Sequence, residues 1–567
     1  MGIQGGRILG DLAAAIDHPV YPPGGPEKLV LSICRECPAG CGIRVRCVGN
    51  RVVKVDGNPL HPISGGRLCP KGQTALQSLY HPDRIAGPLR RVGPRGSLES
   101  FRPATWEEAL NEISVRLSLL RQQDRPEALV LLRGPSQGIG GRLAARFMQA
   151  FGSPNDIRLD RGAEAASQAL FLTQGIRATP AFDLRSAEYA LSLGSSLLEA
   201  SESPVFTMRA FGDFRQGRSG RRGKFVHVGP RLSGTAAAAD EWVPVRKGTE
   251  GVLALGLAGA LVAEGLYDKE FVLRHTHGFE DSPGADGKVE PGLRRLLKRE
   301  FSLERVSAET GVSVNRILRI AREFAAARPG LAFGPRRGNL LSGGLMDHLA
   351  AHLLNALAGN VDGPGGLLVP EPVPLPSQPG FPSDPLAEAG RTRPRLDGAG
   401  RGEASLLSND PEGLAESILS QDHYRAEALF ILDADPVFTS TAPGLFLAAM
   451  EQVPLVVSFA ALPDDSSLQA DWILPHTHPL ESWDLDLGPD GVPFPPAWPF
   501  PPWKNRCARA GRRGRSSWIW PDALEAPFPK RFPGRICPLS SGRRPGAFSR
   551  PAAALSSAQD SMKPGCG

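Results

Sequence analysis

The chain lacks any apolar run long enough to cross a bilayer. The longest, Gly251 to Ala263, is 13 residues and stops at Glu264, whereas a spanning helix needs roughly 18 to 20. It reads as a buried helix. Also missing from the first 30 residues are a twin-arginine signal and a secretory leader. Residues 1–29, with GRILGDLAAAIDHPVYPPGGPE, read instead as the tail of a longer leader or as an extended arm, which leaves location open. Strong charge is absent from the body. The net +6 arises between Ala497 and Gly567, where 13 Lys and Arg face 3 Asp and Glu, so the remainder carries about −4 and needs no nucleic-acid partner. A second C-x2-C pair, usual in structural zinc sites, is absent too.

What is present is concentrated in residues 33 to 73. Cys34, Cys37 and Cys41 stand at C-x2-C-x3-C spacing, and Cys69 follows after 27 intervening residues. Three thiolates so close in sequence can wrap one cube of iron and sulfide, with a fourth arriving from a distant loop. Pro38, Gly40 and Gly42 let the backbone curl tightly enough to aim the sulfurs inward. Zinc and paired disulfides are the other readings of these cysteines; four thiols this close suit a metal better. Between the third and fourth cysteines, Ile43, Val45 and Cys47 alternate with Arg44, Arg46 and Val48, Gly49-Asn50 turns, and Val52, Val53 and Val55 return. That is a hairpin, and it makes Cys47 a strand residue rather than a ligand. Nearby Arg35, Arg44 and Lys71 would raise a cluster's potential by favouring the added electron. Taken alone, Arg35 and Arg44 read as solvated surface charges.

At 567 residues the chain exceeds one core, and 65 Gly with 54 Pro imply many turns and long loops. Thr105-Trp106-Glu107-Glu108 is a capping box opening a helix with Trp106, Leu110, Ile113, Leu117 and Leu120 on one stripe. A strand at Ala128–Leu132, a helix at Gly138–Ala150 and a stop at Gly152 follow. Strand, glycine turn and helix recur at Tyr189–Leu193, Phe225–Val228 and Ala332–Gly334, the rhythm of an α/β domain with a parallel sheet. Further strands fall at Ala428–Leu432, Leu455–Phe459 and Trp472–Leu474, after a Pro/Gly-heavy loop over residues 362–402 in which no element is expected.

CRECPAGCGI, GNPLHPISGGRLCPKGQ, LYHPDRI and PLRRVG, in that order, resemble the N-terminal iron–sulfur segment of the molybdopterin oxidoreductases, the dimethyl sulfoxide reductase family. The likeness continues, less sharply, to residue 490 or so. It implies a multidomain α/β fold of parallel-sheet, Rossmann-like domains behind a small iron–sulfur domain. Residues 30–95 would form the [4Fe-4S] domain, 96–185 plus 335–490 a discontinuous pterin-binding domain, and 186–334 a second nucleotide-binding-like domain. Lys71 would relay electrons between cluster and nearer pterin. Molybdopterin guanine dinucleotide would meet Gly194, Ser195 and Arg231. Arg246-Lys247-Gly248-Thr249-Glu250 resembles the family's R-P-G-T-D, whose acid pairs with guanine, with Lys in place of Pro and Glu in place of Asp. Asp433, Asp435 and Asp471 resemble the matching features for a second pterin, and Asn355, Leu357, Gly359, Asn360 and Gly365-Gly366 match a further family stretch. Singly, a glycine after a strand is usually just a turn; their order along the chain is what lifts them.

Catalytic members supply molybdenum or tungsten with a side-chain ligand shortly after a segment like Phe151-Gly152-Ser153-Pro154-Asn155. Here DIRLDRGAEAASQALF follows, without Cys. Asp160 is the placed candidate, although an Asp there also reads as a cap; Ser167 lies late. The resemblance therefore supports two functions. One is an oxidoreductase large subunit passing electrons through a [4Fe-4S] cluster to or from a bis-pterin molybdenum site. The other is a metal-free scaffold and electron carrier of a quinone-linked respiratory complex. Either implies a ferredoxin-like iron–sulfur subunit and an integral membrane quinone-binding subunit as partners, at the bacterial inner membrane and on its periplasmic side if a leader precedes. Residues 491–567 cluster Arg, Ser, Pro and Gly and hold four of the eight Trp. They read as an irregular basic tail, a truncated or out-of-frame end where the family carries a β-rich domain.

Overall fold

The computed structural model describes residues 25–500 except 136–137, 160, 217–221, 284–287, 336–343, 371–382, 401–408, 483 and 487–497. Its first sheet carries the cysteines. Gly42–Val48 and Arg51–Gly57 form the expected hairpin, turning at Gly49 in the left-handed region (φ 56°), with a bulge between Arg46 and Cys47. Alternation turns Val45, Cys47, Val52 and Val55 inward. A third strand, Glu27–Ile33, pairs antiparallel with Gly42–Val48 and begins inside the stretch read as an arm. Its Leu29 and Leu31 are exposed, so no buried-face alternation marked it in the sequence.

A seven-stranded sheet follows the order Phe101–Pro103, Leu89–Arg91, Trp472–Ile473, Leu455–Phe459, Ala428–Leu432, Leu129–Arg133, Asp156–Arg158. The last five strands run parallel, and Leu89–Arg91 pairs antiparallel with both of its neighbours. The Trp106–Gln122 helix packs its apolar stripe beneath, with both halves of the Thr105/Glu108 capping box formed. A four-stranded parallel sheet runs Glu241–Val243, Lys224–Val228, Tyr189–Leu193, Gly330–Phe333. Against it lies Glu250–Ala263, buried on nearly every side between the helices Leu303–Thr310, Val314–Ala326 and Gly344–Leu357. The 13-residue apolar run is thus an interior helix of a two-layer core. Among the described residues no helix is long and apolar enough to cross a membrane.

Two expectations change. The 362–402 loop contains a helix, Pro385–Arg391, capped by Asp384. Ala387 lies beneath Gly152, and Arg121 pairs with Asp384. The family-like Asn355 is a brace: it accepts from the Ala332 N–H (2.9 Å) and donates to the Ala332 carbonyl (2.7 Å), tying helix to strand.

Candidate functional site

The four cysteines meet in one place. Cys34 and Cys41 are buried in a small core with Ile43, Val45 and Val52, and Cys37 and Cys69 pack against it half-exposed. The Cys34 N–H donates to the Cys41 carbonyl (2.8 Å), which closes the loop. Cys69 caps the short Pro70–Gln73 helix, where a side-chain carbon on Gly72 would stand 3.2 Å from Cys34 Sγ. None of these thiols, nor Cys47, is in a disulfide. Burial pushes the Cys34 thiol up to about 12, with Cys37, Glu36 and Cys69 adding to it against a backbone N–H at Glu36. A thiol so resistant to ionising is no free nucleophile, and it would ligate only where a metal stabilises its thiolate. A single tetrahedral ion would draw the sulfurs within about 4 Å of one another. Among the described residues no group of three or more His, Cys, Asp or Glu side chains is placed to hold a metal ion.

Around the cysteines stands a polar bridge with no signal in the sequence. Ser78 Oγ donates to Glu36 (3.1 Å) and lies 3.1 Å from His478 Nε2, and His478 is buried. Burial raises the Glu36 carboxyl, opposed by Ser78 and by the positive charge of Lys71. Lys71 itself is exposed. Arg35 differs from expectation: its side chain is only 12% exposed and faces Asp484 at 3.5 Å. Arg44 too is half-buried, its Nε without access to water. Neither is a solvated surface charge.

The carboxyl ends of the four parallel strands carry the next group. Gly194 turns with φ 65° after Tyr189–Leu193, and a side-chain carbon there would lie 3.5 Å from Glu250 Cγ. Ser195 and Glu250 are 1% and 3% exposed, yet among the described residues Ser195 Oγ and Glu250 Oε2 have no hydrogen-bond partner. Ser201 Oγ and Ser203 Oγ, which sequence reasoning missed, are orphaned in the same way. Buried polar atoms of this kind cost free energy unless a partner arrives. A hydroxyl and a carboxylate suit the N–H groups and hydroxyls of a nucleotide, so the residues present fit a dinucleotide-type cofactor. Gly248 (φ 83°) and Thr249, whose hydroxyl donates to the Arg246 carbonyl (2.7 Å), shape the turn that starts Glu250's helix. Arg231 follows the neighbouring strand and is exposed.

Asp433 and Asp435 line a 290 Å³ cavity at the carboxyl ends of Ala428–Leu432 and Leu455–Phe459, with Ser458, Asp464 and His476. Open sheets place ligands at such strand ends. His476 Nε2 stands 3.4 Å from Asp433 Oδ1. Gly134 is obligatory here, because a side-chain carbon would collide with the Asp433 carbonyl at 1.9 Å. Asp471 is elsewhere. It precedes the Trp472–Ile473 strand, at the opposite end of the sheet, where it holds Arg91 and Arg95 and accepts from the Val456 N–H (2.8 Å). The structure gives it a bracing place, not one in the cavity. Asp160, the sequence candidate for a metal ligand, lies outside the described residues.

A cysteine-lined loop on an antiparallel sheet, followed by parallel sheets with polar clefts at their carboxyl ends, defines an iron–sulfur α/β protein of the cofactor-binding kind. Comparison with known families gives the particular one. Residues 27–81 match the molybdopterin oxidoreductase Fe4S4 domain, and residues 84–491 match the molybdopterin oxidoreductase model. The chain belongs to the molybdopterin oxidoreductase family, whose cofactors are a [4Fe-4S] cluster and a molybdopterin carrying molybdenum or tungsten. It is 27% identical to the molybdopterin-containing subunit of arsenate respiratory reductase from Shewanella sp. strain ANA-3, over 86% of this chain and 59% of that one. It is 29% identical to the molybdopterin-binding-like subunit of menaquinone reductase from Nitratidesulfovibrio vulgaris, over 82% and 61%. The molybdopterin-containing subunit of thiosulfate reductase from Salmonella typhimurium is 28% identical over 82% and 60%. The chain thus spans about three fifths of these curated relatives. In fold it is similar to acetylene hydratase from Pelobacter acetylenicus, with TM-score 0.68 and 21% identity over 87% of this chain and 69% of that one.

Proposed function

We propose that this chain is the cluster-bearing and pterin-binding part of an oxidoreductase large subunit, passing electrons to or from a bis-pterin molybdenum or tungsten site. Cys34, Cys37, Cys41 and Cys69 would hold the cluster, which supplies one-electron transfer when bound. The observation that carries this is the meeting of those four thiols, none in a disulfide, in one core. Lys71 offsets part of the negative charge of a thiolate-bound cluster, on the side of Cys69. Ser195 and Glu250 would hold the guanine end of one dinucleotide, and Asp433 and Asp435 the second. The proposed division is residues 30–95, 96–185 plus 335–490, and 186–334, although Leu89–Arg91 joins the seven-stranded sheet and Gly344–Leu357 packs against the four-stranded one; a small substrate is the expected reactant.

The test is iron content and the low-temperature paramagnetic spectrum of the reduced chain. About four irons and a cluster signal are expected, lost in Cys34→Ser but kept in Cys47→Ser. Loss of iron in Cys47→Ser alone would overturn the ligand set.

A second reading is a metal-free scaffold and electron carrier in a quinone-linked respiratory complex. It is favoured by DIRLDRGAEAASQALF, which lacks Cys where catalytic relatives place a ligand, and by likeness to a subunit named molybdopterin-binding-like. Elemental analysis separates the two: iron without molybdenum or tungsten supports the scaffold, and stoichiometric molybdenum or tungsten supports the enzyme. A ferredoxin-like subunit and a quinone-binding membrane subunit, at the periplasmic side of a bacterial inner membrane, are the partners either reading takes. Co-purification with a membrane fraction tests them.

A further inference from the structure

A cavity of about 460 Å³ lies away from both cofactor regions. It opens at the amino end of the edge strand Asp156–Arg158, between the carboxyl end of the Ile139–Phe151 helix and the Arg391–Gly400 segment. The Asp433 cavity is at the carboxyl end of the same sheet. Met148, Pro154 and Pro394 supply an apolar part of its wall, while Arg391, Arg393 and Arg395 bring three guanidiniums.

The charges do not cancel. Arg395 is neutralised by Asp397 through two hydrogen bonds of 2.9 and 2.6 Å. Asp156, the acid in the wall, is neutralised by Arg133 through two of 2.5 and 2.9 Å. Arg391 instead spends its donors on neutral acceptors, the Gln149 carbonyl (2.7 Å) and Ser383 Oγ (2.9 Å), so among the described residues its positive charge has no carboxylate against it. The Arg393 guanidinium makes no hydrogen bond or ion pair among the described residues and faces the cavity from an exposed position. Two uncompensated guanidiniums at the mouth of a concave, partly apolar site form a receptor for oxyanions. Planar guanidinium forks match carboxylate and phosphate oxygens, and the volume suits a small organic body.

We propose that this cavity binds a dianionic oxyanion on a compact organic body, a phosphate ester or a dicarboxylate, at a site separate from the pterin clefts. Arg393 supplies an exposed fork, and Arg391 a charge held against the helix end by the Gln149 carbonyl. The proposal is independent of whether the chain carries molybdenum.

The experiment is titration calorimetry on the full chain at low ionic strength and slightly alkaline pH, with phenyl phosphate and phthalate as separate probes. Saturable binding of at least one probe below about 10 mM is expected. Arg393→Ala should weaken it roughly tenfold or more, Arg393→Lys less, and Asp433→Asn at the other end of the sheet not at all. Preference for phenyl phosphate assigns a phosphate ester, and preference for phthalate a dicarboxylate. Arg391→Ala also removes a cap from the helix, so the exposed Arg393 decides: unchanged affinity in Arg393→Ala overturns the site. So does the absence of saturable binding by both probes, or a loss of affinity in Asp433→Asn equal to that in Arg393→Ala.

Discussion

Asp471 and Glu250 are both acids that family likeness assigns to cofactor, and their surroundings part them. Asp471 is held by two arginines and a backbone N–H. Asp471→Ala removes the carboxylate that pairs with both guanidiniums in a partly buried place, and we expect a loss of about 3 kcal/mol in denaturant unfolding with pterin content unchanged. Glu250 has a carboxylate oxygen buried without a partner among the described residues. Glu250→Gln in the cofactor-free chain should therefore shift stability by no more than about 1 kcal/mol, while released guanine nucleotide falls several-fold. A sequence shows which acid follows a strand, and from that Asp433 and Asp435 were legible. It does not show which acid an arginine 380 residues away will claim, as Arg91 claims Asp471. Glu36, Ser78 and His478 were invisible for the same reason: their link spans 400 positions and follows no period.

Elements with a local cause were the readable ones. Tyr189–Leu193, Ala428–Leu432 and Leu455–Phe459 are continuous apolar runs bounded by turn residues, and they form where their composition places them. The Trp106 helix opens on a reciprocal cap, and Thr105→Ala should lower stability by about 1 kcal/mol, measured by thermal melting. Pro385–Arg391 was missed although Asp384-Pro385 is itself a start signal, because the Pro/Gly content around it hides seven residues. That helix fixes the backbone at Gly152, which caps the Ile139–Phe151 helix with φ 98° and packs against Ala387. Gly152→Ala meets a strained conformation and a backbone atom at 2.5 Å, so it should cost at least about 2 kcal/mol and loosen Pro385–Arg391 in hydrogen exchange.

At the scale of the whole molecule, acid should loosen the fold through its histidines. Burial holds His61, His227, His352 and His478 down to about 4. An unfolded chain takes up these protons near pH 6.5, so between about 6.5 and 4 the unfolded state holds more protons and stability falls as pH drops. Each fully buried ring contributes up to about 3 kcal/mol across that window. His352→Gln should flatten the slope by one proton in urea midpoints taken from pH 7 to 4.

The order of strands in the seven-stranded sheet carries one more consequence. Leu129 pairs with Ala428, 299 positions later, and the whole four-stranded sheet is made in between. During synthesis the Leu129–Arg133 edge must wait, apolar and unpaired, for the better part of the chain to leave the ribosome. Nascent chains stalled before Ala428 are therefore the ones a chaperone should grip hardest, and that grip should slacken once Phe459 has emerged.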